Sequence, residues 1–117
     1  MKPKSLAGLK RTNNGFKSED RVVKDMGMKT IAGSGNQMGN KSDGVDKYYR
    51  LECKSTEKKS MRLEHDWLLK IAQEAIETGR TPLLAISFVF EQGKPKKEGD
   101  WVMMRKRDFD ELTGRDE

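Results

Sequence analysis

Residues 41–56, KSDGVDKYYRLECKST, decide the fold of this chain. Residues 48–54 alternate with the two-residue period of a β-strand. One face of that strand carries Tyr49, Leu51 and Cys53. The other face carries Tyr48, Arg50, Glu52 and Lys54. The alternation therefore predicts that Glu52 and Lys54 point in the same direction.

We expect a short strand that ends near Asp43 to fold back beside this strand, because residues 44–47 have the Gly and Asp that suit a tight connection. Folding back at this connection sets the Asp43 carboxylate next to Glu52. Two adjacent carboxylates repel each other unless a cation lies between them, and oxygen ligands favour Mg²⁺ or Mn²⁺. Lys54, beside such an ion, can orient a water or offset charge on a phosphate. The alternative is that Glu52 and Lys54 are only the solvated face of an edge strand.

The whole pattern, a carboxylate, then Glu-x-Lys at the end of a strand, then a polar turn and an amphipathic helix, resembles the PD-(D/E)XK or restriction-endonuclease-like nuclease superfamily. The resemblance covers roughly residues 19–90. Within the superfamily, residues 34–35, 41–43 and 51–56 look most like phage and archaeal Holliday junction resolvases.

This resemblance implies an α/β fold with a mixed central sheet of about five strands flanked by helices, in the order α-β-β-β-α-β-β. It implies hydrolysis of DNA to 5′-phosphate and 3′-hydroxyl ends. Asp43 and Glu52, with the Cys53 carbonyl, would hold Mg²⁺, for which Mn²⁺ would substitute, and Lys54 would orient the attacking water. A glutamate of the first helix, here Glu19, borders the metal site in such resolvases. The resemblance also implies a homodimer that binds four-way junctions.

Composition indicates one domain, since the chain has 117 residues, 37% charged and 33% hydrophobic. The sequence has neither a run of about 18 apolar residues nor a signal peptide, so we expect no membrane partner and a cytoplasmic location, in the host cell if the protein is phage-encoded. Cys53 is the only cysteine, which excludes an internal disulfide and favours a small buried side chain.

The net charge of +5 lies in residues 1–17, because the rest of the chain has equal numbers of basic and acidic residues. We expect a flexible basic arm over 1–17 that contacts DNA phosphates, a nuclease domain over 18–113 and a frayed tail over 114–117. A solubilising tail is the other interpretation of the arm. The predicted DNA contacts are Lys2, Lys4, Lys10, Arg11, Lys17, Ser34, Lys41, Lys58, Lys59 and Ser60.

Periodicity and capping residues predict the remaining elements: a helix from residue 16 or 17 to about 26, strands over 28–32, 83–90 and 101–105, a long helix over 61–78 and a short one over 107–112. Glu19 extends the apolar stripe of the first helix and is expected to face inward. Ser60 is a candidate cap of the long helix, and Trp67 is expected in the core. Residues 91–100 are expected to form a polar turn.

Three other functions fit the same residues. A nicking, mismatch-type or restriction-type endonuclease would keep the chemistry and change the substrate. A non-catalytic DNA-binding module, or a structural subunit of a larger complex, would need the acids and lysines only as surface charge.

Overall fold

The computed structural model describes residues 18–31 and 44–115. The elements in chain order are helix α1 over the described residues 18–25, β1 (Lys29–Thr30), β2 (Gly44–Val45), β3 (Tyr49–Thr56), α2 (His65–Glu77), β4 (Thr81–Val89), β5 (Pro95–Met103) and α3 (Lys106–Thr113). The predicted arm over 1–17 and the predicted site residues Ser34, Lys41 and Asp43 lie outside the described residues.

The five strands form one sheet in the order β1-β2-β3-β4-β5. Neighbouring strands are antiparallel except β3 and β4, which run parallel. A parallel pair needs a crossover, and α2 supplies it between the two strands. The prediction of an α/β protein with a mixed five-stranded sheet flanked by helices is confirmed.

The helices α1 and α2 cover opposite faces of the sheet. Val22 and Val23 of α1 pack with Leu51, Cys53 and other side chains of the same face, and Val23 and Leu51 are fully buried. On the opposite face Ile71 of α2 lies against Leu84 of β4. Since side chains alternate along β3, Glu52 and Lys54 point to the face that α2 covers.

The connection between β2 and β3 lies later in the chain than expected. Gly44 belongs to β2 and pairs with Leu51, and the turn is made by residues 46–48. The Asp46 Oδ1 atom accepts hydrogen bonds from the backbone N–H groups of Tyr48 and Tyr49, at 2.8 and 2.7 Å. A Cβ atom at Gly44 would lie 2.8 Å from Val23 Cγ1. Glycine is therefore needed at residue 44 for close approach of α1, and Asp46 makes the turn.

Helix α2 begins at His65, four residues later than predicted. Its N-cap is Glu64, with no side-chain capping hydrogen bond, so Ser60 does not cap the helix. Ser60 is exposed, and Leu63, an apolar residue in the first turn of the predicted helix, is 43% exposed. With Leu63 outside the interface, there is no packing against the sheet to offset the cost of ordering another helical turn.

Strand β5 begins at Pro95, six residues earlier than predicted, so the connection from β4 is short. Pro95 pairs with Val89 and Asp100 with Ser87, and the residues between these two pairs form an irregular part of the strand instead of a turn. The first part of this strand consists mainly of charged residues, so a pattern of apolar residues could not predict it. The tight turn is made by residues 91–93 and is closed by a hydrogen bond from Phe90 N to Lys94 O of 2.8 Å.

Among the described residues, no helix is both long and apolar enough to cross a membrane.

Candidate active site

Glu52 and Lys54 form an ion pair on the α2 face of β3. The Lys54 Nζ atom lies 3.7 Å from Glu52 Oε2. The Glu52 side chain is 16% exposed and that of Lys54 is 37% exposed, so the pair lies at the boundary between the protein and solvent. A strand fixes the direction of both side chains, and the expectation that they share a face is confirmed.

Trp67 of α2 covers the lysine. The Lys54 Nζ atom lies 5.0 Å from the centroid of the Trp67 ring, within the range of a cation–π interaction. The sequence pattern assigned Trp67 to the core, but the side chain is only half-buried and its ring contacts the ammonium. The tryptophan therefore restricts the positions that the Lys54 ammonium can adopt beside Glu52. The spacing of residues along the sequence could not predict this contact, because Lys54 and Trp67 belong to different elements, β3 and α2.

Apolar side chains continue the face on which the ion pair lies. Glu52 is the register partner of Leu84 on β4, and Leu84 is the register partner of Met103 on β5. Apolar neighbours reduce the access of water and strengthen the interaction of the pair with any charge placed above it.

The donor atoms at this position fit a hard cation. Glu52 supplies a carboxylate, and Cys53, whose side chain is buried on the other face, has only its backbone carbonyl to offer. Among residues 18–31 and 44–115, no three His, Cys, Asp or Glu side chains are grouped so as to hold a metal ion. The second predicted carboxylate, Asp43, is the residue before Gly44 and lies outside these ranges.

Glu19 belongs to the helix that covers the opposite face of the sheet from the Glu52–Lys54 pair. Glu19 and the neighbouring Asp20 are both half-buried on α1, and α1 packs against the face opposite Glu52 and Lys54. The structure thus brings two of the four predicted catalytic residues into contact, Glu52 and Lys54. The role of Glu19 stays a prediction.

Comparison of the chain with protein-family models, curated proteins and solved structures gave no match.

A basic loop follows the strand that carries the ion pair. Lys58, Lys59 and Ser60, which the sequence predicts to contact DNA, are all exposed in this loop. The Lys58 backbone N–H donates to Thr56 Oγ1 at 3.1 Å, which fixes the start of the loop. Lys96 of β5 joins them, because its Nζ atom donates to the Glu57 carbonyl at 3.3 Å. Sequence reading missed Lys96 as a site residue because it assigned residues 91–100 to a turn.

The opposite face has a polar cluster that the sequence did not indicate, in which Ser87 is buried, Arg21 is half-buried and Asp100 is exposed. Arg21 of α1 donates two hydrogen bonds to Asp100 of β5, at 2.9 and 3.0 Å, and a third to Ser87 Oγ of β4 at 3.1 Å. Ser87 in turn donates to Asp100 Oδ1. The hydrogen bond from Arg21 is the main cause of the lowered pKa of Asp100. This cluster fixes α1 to the β4–β5 hairpin.

Proposed function

We propose that the chain is a metal-dependent DNA endonuclease that resolves four-way junctions by hydrolysis. The observation that supports this most strongly is the Glu52–Lys54 pair, on one face of β3, with the exposed Lys58 and Lys59 directly after the strand. The observed order of helices and strands is also the one expected of a restriction-endonuclease-like nuclease.

The pairing of β2 with β3 supports a role for Asp43. Gly44 pairs with Leu51; in the sequence Asp43 comes directly before Gly44, and Glu52 directly after Leu51. We propose that Asp43, Glu52 and the Cys53 carbonyl hold Mg²⁺, with Mn²⁺ as a substitute. When bound, the ion supplies Lewis-acid stabilisation of a phosphate oxygen and lowers the pKa of the attacking water.

Lysine side chains position the water and bind the phosphates of the DNA. The Lys54 ammonium, held between the Glu52 carboxylate and the Trp67 ring, orients the water and offsets the negative charge that grows on the scissile phosphate. Lys58 and Lys59 hold the adjacent DNA backbone through charge. Cleavage of the P–O3′ bond leaves 5′-phosphate and 3′-hydroxyl ends.

Symmetric resolution needs two cuts in strands of like polarity. We therefore propose a two-fold homodimer with one site per subunit.

The test is cleavage of a labelled immobile four-way junction, with a linear duplex of matching sequence beside it. The wild-type protein is assayed with Mg²⁺ and with EDTA, and Asp43→Asn, Glu52→Gln and Lys54→Met with Mg²⁺. Lys70→Met, which removes an exposed lysine of α2, is the matched control and is expected to cleave like wild type. Paired cuts across the junction, lost in EDTA and in the three site variants while the duplex stays intact, are the expected result.

The other outcomes separate the alternatives. Cleavage of junction and duplex alike would keep the nuclease and remove the junction specificity. Binding without any cleavage, unchanged in Asp43→Asn and Glu52→Gln, would show a non-catalytic DNA-binding module instead.

A further inference from the structure

Trp101 is an exposed aromatic side chain on the same face as Lys54. It lies on β5, the edge strand of the sheet, and is 60% exposed. Lys54 is the register partner of Ile86 on β4, and Ile86 is the register partner of Trp101 on β5. The three residues form one row across the sheet, so two strand spacings, about 10 Å, separate the backbones of Lys54 and Trp101.

The position of the Trp101 ring is fixed by its own strand. Its Nε1 atom donates a hydrogen bond to the Glu98 carbonyl at 2.7 Å. Glu98 adopts a left-handed backbone conformation, with φ of 50°, and a Cβ at the next residue, Gly99, would lie 2.5 Å from the Phe88 carbonyl oxygen. A distorted, closely packed strand segment thus holds the carbonyl to which the ring is bonded. The ring is oriented by this bond while most of its surface stays in solvent.

Two lysines lie on the same strand as this ring. Lys96 and Lys97 precede it on β5, and the Lys96 contact with the Glu57 carbonyl joins this strand to the loop of Lys58 and Lys59. Of the two acids on β5, Asp100 points to the opposite face and is paired with Arg21, whereas Glu98 is exposed and its backbone carbonyl accepts the hydrogen bond from the Trp101 ring. A pre-oriented aromatic ring next to a series of lysines is the combination that binds nucleic acid bases and their phosphates together.

We propose that Trp101 stacks on a DNA base that is unpaired or displaced at the branch point, while Lys96 and Lys97 bind the phosphates beside it. This inference rests on the proposed function and narrows its substrate class, because a base within a continuous duplex does not expose its flat face to a side chain. The row from Lys54 to Trp101 then spans the distance between the cut phosphate and the displaced base.

The experiment measures binding in EDTA, where no cleavage occurs, by fluorescence anisotropy of a labelled four-way junction and of a labelled oligo(dT). Trp101→Leu is expected to weaken binding of both by about 5- to 100-fold, the range that corresponds to loss of one stacked base. Trp101→Phe keeps a ring and is expected to retain most of the affinity. Tyr48→Leu, which removes an aromatic side chain that is 62% exposed at the other end of β3, is the matched control and is expected to bind like wild type.

A second measurement does not depend on the affinity change. In a Trp67→Phe background Trp101 is the only tryptophan, and oligo(dT) is expected to quench its emission as the base stacks. Unchanged affinity in Trp101→Leu, or emission that DNA does not quench, would overturn the proposal. So would an affinity loss fully accounted for by dissociation of a protein dimer in sedimentation, since Trp101 would then contact a second copy.

The two proposals fail in different ways. If stacking is observed in EDTA but wild type cuts nothing with Mg²⁺, the nuclease proposal fails and the base contact stands. If wild type cuts the junction and Trp101→Leu binds and cuts equally well, only the base contact is wrong.

Discussion

Trp67 is the residue whose contact most directly affects the proposed chemistry. We expect Trp67→Leu to lower the rate of the cleavage step by about 3- to 30-fold, because a cation–π interaction contributes roughly 0.5–2 kcal/mol. Lys54 acts on charge that develops in the transition state, so kcat should fall more than KM rises. Single-turnover cleavage of the junction at saturating protein measures the rate of the cleavage step.

Two variants distinguish positioning from a general loss of structure. Trp67→Phe keeps an aromatic face and is expected to retain most of the rate. In a Lys54→Met background, Trp67→Leu should not lower the residual rate of that variant any further, since the group that it positions is absent. Equal losses in Trp67→Phe and Trp67→Leu would assign the tryptophan to packing alone.

Asp100 makes stability depend on pH in a direction that its hydrogen bonds determine. The hydrogen bond from Arg21 lowers the pKa of Asp100 below its ordinary 3.8. A carboxyl whose pKa is lower in the folded state stabilises the protein above the ordinary value, and this contribution is lost as pH falls through the folded value. Since the side chain is 43% exposed, solvent screening limits the contribution to about 1 kcal/mol.

Asp100→Asn therefore tests the cluster. We expect the variant to be less stable than wild type by about 1 kcal/mol at about pH 6, and the difference to shrink towards zero at about pH 2.5. Urea unfolding followed by circular dichroism at both pH values measures it. A difference that is the same at both pH values would show that the ionised carboxylate is not what stabilises the fold.

At the scale of elements, the approach of α1 to β2 depends on Gly44. A Cβ there would lie 2.8 Å from Val23 Cγ1, and Val23 is fully buried. We expect Gly44→Ala to destabilise the fold by about 2 kcal/mol, since neither the helix nor the strand can shift without disturbing the core. Urea unfolding of the variant against wild type measures the loss.

A double-mutant cycle isolates the contact. Val23→Ala removes the methyl groups that the new Cβ would meet, so Gly44→Ala should cost clearly less in that background than in wild type. Additive losses would mean that Gly44 is required for its backbone conformation and not for the approach of α1.

At the scale of the whole molecule, the basic loop after β3 should determine how DNA affinity depends on salt. Each lysine that neutralises a phosphate contributes about 0.9 to the slope of log affinity against log salt concentration. We expect Lys58→Gln combined with Lys59→Gln to reduce that slope by about 2, in EDTA, on junction and duplex alike. Titrations at several salt concentrations give the slope.

Lys24→Gln is the control for this prediction. Lys24 lies on α1, over the opposite face of the sheet, and pairs with Asp20. Its loss should leave the slope unchanged. A slope that falls equally in the control would mean that overall charge, and not the loop, governs DNA affinity.

Several features of the fold were predictable because they depend on local patterns. The alternation in β3 predicted the buried Leu51 and Cys53 and the shared direction of Glu52 and Lys54. The predicted end of the long helix at residue 78 is close to the observed one, where Gly79, with φ of 71°, follows the C-cap Thr78. Periodicity and backbone preference act within a few residues and can therefore be read from the chain.

The start of β5 was not predicted, because it depends on pairing with another strand and not on a local pattern. Lys96, Lys97 and Glu98 carry no apolar signal, and they belong to β5 because the strand pairs with β4 on either side of them, at Pro95 and at Asp100. An edge strand is stabilised by its neighbour's backbone groups and tolerates charged side chains. Gly44 was assigned to the turn for a related reason, since its requirement comes from a helix more than twenty residues away.

The sequence by itself determined that this is an α/β chain with Glu52 and Lys54 on one face of a strand, because alternation along a strand is a local property. Only the tertiary structure decided that Trp67 covers Lys54, that Trp101 lies level with it across the sheet, and that α1, with Glu19, packs against the other face. Those relations depend on strand register and on which face each helix covers. Both are decided by packing between distant segments, which no local pattern records.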